Sequence, residues 1–212
     1  MRISDERYHR DRLRYDLALR MIGHEARTCT IRSWTGLSDD RIRRLYKTYV
    51  EFESRLPVRR HRGKSPQQPS YFLRTQAIQI EATLLATVLG SSGLLSGTCG
   101  KDTAMHRLEA GTRFCDAYES YLLLALQPAL SFEHACLLLH ALLVGEEICL
   151  WTCPRCSGPF LRDALAVDHK ACPLCRLKRT SAMPSVDRHV LLPGLLDLPT
   201  TPPEVGRHVP DC

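Results

Sequence analysis

The chain has 212 residues, of which 44% are hydrophobic and 25% charged, and a formal net charge of +6. Such a composition belongs to a globular protein and excludes a disordered one. The most apolar runs, 77–89 and 136–144, are shorter than the roughly 20 residues a spanning helix needs and carry Gln79, Glu81 and His140, which excludes membrane-spanning helices.

Charge is distributed unevenly. Lys and Arg outnumber Asp and Glu by 18 to 9 over residues 1–80, fall behind by 3 to 8 over 81–150 and lead by 8 to 6 over 151–212. A basic first third suits a polyanion, because fixed positive charge releases counterions condensed on phosphate; a solvated basic surface is the competing reading. The charged stretch from Met1 to Arg20 does not read as an export signal, so the expectation is a cytoplasmic protein. In that reducing compartment the six cysteines Cys29, Cys99, Cys115, Cys136, Cys149 and Cys212 are read as free thiols, with Cys29, Cys115, Cys136 and Cys149 as small core residues.

In chain order, residues 5–26 read as an amphipathic helix, with Tyr8, Leu13, Leu17, Met21 and Ile22 at three- and four-residue steps. A short helix follows from Thr28 to Thr35, with Ile31 and Trp34 on one face, and Gly36 supplies a turn. Ser38 reads as an N-cap, with Asp39 and Asp40 favourable to the helix dipole. The next helix turns Ile42, Leu45 and Tyr46 inward and Arg41, Arg43, Arg44 and Lys47 outward. Two helices joined at a glycine turn make a helix-turn-helix candidate, although such hairpins also occur in helical proteins that never touch DNA.

Residues 55–70 read as a loop broken by Pro57, Pro66, Pro69 and Gly63 and made basic by Arg59, Arg60, Arg62 and Lys64, a composition suited to gripping phosphates or to a solvated linker. Helices are expected over 77–89, from an Asp102 cap to about 126, and from a Ser131 cap to about 150. The last is Leu-rich and expected to run directly into Trp151, attaching the segment beyond it rigidly. The aromatics of these helices and His140 are read as core-filling.

The strongest chemical signal is Cys153-Pro-Arg-Cys156, fifteen residues, then Cys172-Pro-Leu-Cys175. Two such pairs at this separation bring four thiols to one ion, and four sulfurs leave no open position for an activated water. One structural zinc is the leading expectation, with an iron-sulfur cluster and disulfide or redox use as alternatives. His169 is placed outside the ligand set. Residues 181–212 are proline-rich and read as a tail unable to order alone, with an apolar run at 190–196 suited to docking on a partner.

The order of parts resembles the FlhC family, the C subunit of the flagellar master activator FlhDC. The resemblance rests on Trp34-Thr-Gly-Leu-Ser38, Arg43-Arg-Leu-Tyr-Lys47, Pro69-Ser-Tyr-Phe72 and the two late cysteine pairs, and spans roughly residues 13–178. It implies a mainly α fold, one zinc on Cys153, Cys156, Cys172 and Cys175, and a hetero-oligomer with an FlhD-type subunit that binds duplex promoter DNA and acts through RNA polymerase. DNA contact is then assigned to Arg41, Arg43, Arg44, Lys47, Arg59, Arg60, Arg62 and Lys64. The loop is more basic than the family leads one to expect, and related activators also occur on mobile elements.

The resulting expectation is a helical body with an N-terminal helix-turn-helix-like unit and a C-terminal four-cysteine zinc module, divided as 1–75, 76–150, 151–180 and 181–212. No nucleophile-base pair, phosphate-cradling glycine loop or open metal site appears, so no catalytic activity is expected. Two rival functions remain: a zinc-stabilised protein interaction module, and an RNA-binding protein of the same charge.

Overall fold

Helix-forming periodicity accounts for most of the architecture. The computed structural model describes residues 2–52, 58, 59, 61, 63–95, 104–167 and 171–180. In order these form α1 (Arg2–Gly23), α2 (Thr28–Thr35), α3 (Asp39–Phe52), a short 3-10 turn (Pro69–Leu73), α4 (Gln76–Ser91), α5 (Ala104–Leu124), α6 (Phe132–Val144), β1 (Ile148–Thr152), β2 (Pro159–Asp163) and α7 (Pro173–Thr180). Met1–Thr180 cluster as one unit. The expected Asp102 cap, His169, Cys99, Cys212 and the 181–212 tail lie outside the described residues.

One core joins the helices. Leu17, Met21 and Ile22 of α1, Ile31 of α2, Ile42 of α3, Leu85 and Leu89 of α4, Phe114 and Tyr121 of α5 and Leu138 of α6 are all buried. Trp34 stacks on Phe114 at 5.6 Å between centroids, and Phe132 meets Phe114 and Tyr118 edge-on at 5.1 Å each. The approach of α1, α2 and α5 is close at Gly111, where an added Cβ would lie 2.8 Å from Leu17 Cδ2 and 3.3 Å from Trp34 Cε3. The turn before α6 is held by Glu81, whose Oε1 accepts from the N–H groups of Ala129 (2.6 Å) and Leu130 (3.3 Å) and from the Tyr121 hydroxyl.

The expected pair of helices joined at Gly36 forms, with α2 at its expected bounds and α3 running on to Phe52. Gly36 takes the left-handed conformation (φ 68°) and its N–H closes α2 on the Arg32 carbonyl at 2.9 Å. Thr35 Oγ1 donates to the Ile31 carbonyl (2.7 Å) and accepts from Leu37 N–H (3.2 Å), so the buried turn is hydrogen-bonded from within. The Ser38 carbonyl accepts from Ile42 N–H at 3.0 Å, opening α3.

Several expectations are corrected. Tyr8 is 73% exposed, because the apolar face of α1 is half-buried at Leu13 and fully buried only from Leu17 onward. Cys29 and His140 are exposed rather than core-filling, each lying on the outward side of its helix.

The largest correction concerns α6. It stops at Val144, where Gly145 (φ 72°) donates to the Ala141 carbonyl at 2.8 Å, and an antiparallel pair follows in register Ile148↔Asp163 to Thr152↔Pro159. The cysteine module is therefore attached by docking on α4, not by a continuous helix. β2 has one free edge, and at the buried Leu161 that edge is completed by α4 side chains: Gln79 Nε2 donates to the Leu161 carbonyl (2.6 Å), and Leu161 N–H donates to Thr83 Oγ1 (3.1 Å). A strand edge buried without such partners would leave main-chain polar groups unpaired.

Candidate metal centre and basic face

Each cysteine pair sits on a backbone turn that aims its sulfurs the same way. At the tip of the β1–β2 hairpin, Cys153 N–H donates to the Gly158 carbonyl and Ser157 N–H to the Cys153 carbonyl, both at 2.9 Å, with Ser157 at φ 56°. This knuckle presents Cys153 and Cys156. The second pair opens α7: Pro173 stands in the first turn, Cys175 N–H donates to Cys172 Sγ at 3.4 Å, and Arg176 N–H to the Cys172 carbonyl at 3.1 Å. Cys172 thus acts as a sulfur N-cap.

The four sulfurs lie within 4.8 Å of one another, with Cys156–Cys172 at 3.7 Å and Cys153–Cys175 at 4.0 Å. A single tetrahedral ion with bonds of about 2.3 Å places its sulfurs about 3.8 Å apart, so the donor set fits one such ion. These separations are too long for disulfides, whose sulfurs sit about 2.05 Å apart. Cys153 and Cys172 are buried, Cys175 is half-buried and Cys156 exposed, and Phe160 and Ala171 pack beside them.

The electrostatics of the bare thiols point the same way. The Cys153 thiol is brought down to about 6, chiefly by the Cys172 N–H that donates to its sulfur at 3.3 Å. The Cys175 thiol is pushed up to about 12 by its contacts with Cys156 and Cys172, and burial raises Cys172. Cys153 is thus the readiest of these to ionise while Cys172 and Cys175 resist, as expected where several anions this close require a cation among them.

The sequence-predicted DNA contacts fall on the helix-turn-helix and the following loop. Arg41, Arg43, Arg44 and Lys47 are exposed along α3, on the side opposite the buried Ile42 and Tyr46, with Leu45 half-buried. Arg43 pairs with Asp40 at 2.7 Å, and Arg32 of α2 with Asp39 at 3.1 Å, so the acids at the start of α3 are occupied within the unit. Arg59 and Lys64 are exposed, while Arg60 and Arg62 lie outside the described residues. Helix and loop converge on one corner: the Tyr46 hydroxyl donates to the Ala26 carbonyl, and Glu25 Oε1 accepts from Arg59 N–H at 3.0 Å.

Sequence reasoning passed over the carboxylates that make this corner. Glu25 faces His61 Nε2 at 2.8 Å through its second oxygen, and Glu133 accepts from Arg27 N–H (2.8 Å), Thr30 Oγ1 (3.0 Å) and Ser65 Oγ (3.0 Å). A signal was present for Glu133, the single acid in the apolar run Phe132–Val144. None of the described helices is long and apolar enough to cross a membrane. No protein-family description matches the chain, and no curated protein matches it.

Proposed function

We propose that the chain is the DNA-binding subunit of a heteromeric transcriptional activator of flagellar genes, acting with an FlhD-type partner on duplex promoter DNA and presenting a surface to RNA polymerase, with one zinc ion in a structural role. The supporting observation is the exposed row Arg41, Arg43, Arg44 and Lys47 on the second helix of a helix-turn-helix, next to a loop whose Arg59 and Lys64 are also exposed. Side chains in such a row reach phosphates or base edges when the helix enters or lies along the major groove. Four thiols fill a tetrahedral shell and leave no position for substrate, which supports a folding role for the zinc and not a catalytic one.

The test is duplex binding by the full chain co-purified with its partner, across a salt series. Affinity should fall steeply with salt, and Arg43→Ala or Arg44→Ala should each reduce the log–log slope by about 1 in a folded protein. Absence of duplex affinity at low salt refutes the reading, and preference for RNA over duplex DNA in competition replaces it with the RNA-binding one. Metal analysis should find one zinc per chain. The interaction-module reading draws support from Leu123, Leu124 and Leu126 at the end of α5, which are 88%, 60% and 102% exposed. It becomes the better account if the complex assembles through this surface and ignores nucleic acid.

A further inference from the structure

We propose that Glu133 is a positioning residue for nucleic-acid contact, holding the basic loop and the start of the helix-turn-helix on one buried carboxylate. This inference rests on the DNA-binding reading above.

Among the described residues, Glu133 is the one buried acid, at 7% exposure. A carboxylate so placed must be satisfied by donors, and its three come from two separate parts of the chain: the Arg27 N–H and the Thr30 hydroxyl at the start of α2, and the Ser65 hydroxyl in the loop. The Arg27 cap position makes no side-chain cap bond of its own, so Glu133 caps α2 from a distance and places negative charge where the helix dipole favours it. Since α2 and α3 are joined by the hydrogen-bonded Gly36 turn, fixing the start of α2 also fixes the direction of the α3 basic row.

The loop is held in a manner that leaves Arg59 and Lys64 available. Its tethers are the Arg59 N–H and the His61 ring on Glu25, the Gly63 carbonyl on the Arg27 guanidinium, and the Ser65 hydroxyl on Glu133. Every one of these uses main chain or a side chain other than Arg59 and Lys64, and both of those are exposed. A loop ordered in advance by its backbone loses less freedom when its cations meet phosphate, which raises affinity without adding a contact. The effect of Glu133 passes through the three groups it holds, the Ser65 and Thr30 hydroxyls and the Arg27 N–H.

The experiment compares Glu133→Gln and Ser65→Ala with wild type in the full chain co-purified with its partner. Circular dichroism and zinc content serve as folding controls. Trypsin cleavage after Arg59 and Lys64, followed by mass spectrometry, reads the tether without nucleic acid; duplex affinity across a salt series reads the positioning. Glu133→Gln turns an amide N–H₂ toward converging donors, and Ser65→Ala removes only the loop's bond and keeps the variant testable should the first fail to fold. Loss of a hydrogen bond to a charged group should raise loop cleavage by about 10- to 100-fold, with weaker duplex binding and a salt slope smaller by about 1 to 2. Unchanged cleavage in both variants overturns the proposal, as does raised cleavage with unchanged affinity and slope. Raised cleavage in a complex whose wild type never binds duplex refutes the DNA reading and, with it, the purpose assigned to Glu133, while leaving the tether established.

Discussion

Replacing Gln79 with Ala tests how the cysteine module is joined to the helical body. Gln79 Nε2 is the donor to the buried Leu161 carbonyl, and its Oε1 accepts from Arg176 of α7 at 3.3 Å, so one side chain reaches both the hairpin and the helix that carries the second cysteine pair. Truncation leaves the Leu161 carbonyl unpaired in a buried position, at a cost of about 1–3 kcal/mol, or about 5- to 150-fold in the equilibrium between docked and undocked hairpin. The Arg176 contact is exposed and adds little. The assay is transfer of zinc from the loaded protein to a colorimetric chelator, with helical circular dichroism recorded in parallel. Transfer should accelerate by up to that factor while the helical signal at 25 °C is kept. Thr83→Val, which leaves Leu161 N–H unpaired instead, should act in the same direction, and the two effects should not add, because both serve one residue. If both variants lose helix and metal in a single transition with unchanged transfer kinetics below it, the module is not separately docked and the reasoning fails.

Three further outcomes follow from particular contacts. Cys172→Ala or exhaustive chelation should abolish metal binding and unfold the hairpin and α7, since structural zinc contributes on the order of 10 kcal/mol to the folding of such sites; metal analysis and amide exchange at residues 148–163 check this. Glu119 is held at about 2, well below its ordinary 4.5, mainly by the hydrogen bond from Arg20. Its contribution to stability is therefore complete above about pH 4.5 and fades as the pH falls towards 2. Because the pair is partly exposed, Glu119→Gln should lose only about 1 kcal/mol at pH 7, and the gap from wild type in paired urea titrations should close across that window. Gly111→Ala should destabilise by about 1–3 kcal/mol in spite of alanine's better helix propensity, because the new methyl enters the space of Leu17 and Trp34; combined with Leu17→Ala, the two losses should sum to less than the separate effects in thermal melts.

What could be read from sequence was whatever the chain encodes locally. Helices α2 and α6 announce their starts or ends through short-range chemistry: Gly36 after Thr35, Pro128 and Ser131 before Phe132. The four thiols were legible for a similar reason, since Cys-x-x-Cys spacing specifies a turn. The strand pair was hidden because Ile148–Thr152 resumes apolar character only three residues after the run that forms α6, and Gly145 was outweighed by the leucines before it. β2 opens with a proline and owes its edge to α4, more than 75 residues earlier in the chain. Carboxylates such as Glu81 and Glu133 were illegible in detail, because each gathers donors from distant segments and no local pattern records who they will be.

The order in which the four candidate metal ligands occur along the chain bears on how the protein is made. Cys153 and Cys156 leave the ribosome on the hairpin knuckle, yet their partners stand at Cys172 and Cys175, after α1 to α6 and both strands have been synthesised. Until Cys172 and Cys175 are available, the first pair offers only two sulfurs and lacks the Cys172 N–H that favours the Cys153 thiolate in the finished fold. Completion of the site is thus one of the last folding events, and a chain interrupted before α7 would carry Cys153 and Cys156 without the two sulfurs that complete the set. Such a product would be a ready substrate for quality control, and its accumulation in zinc-starved cells is measurable by thiol-specific labelling of the truncated and full-length chains.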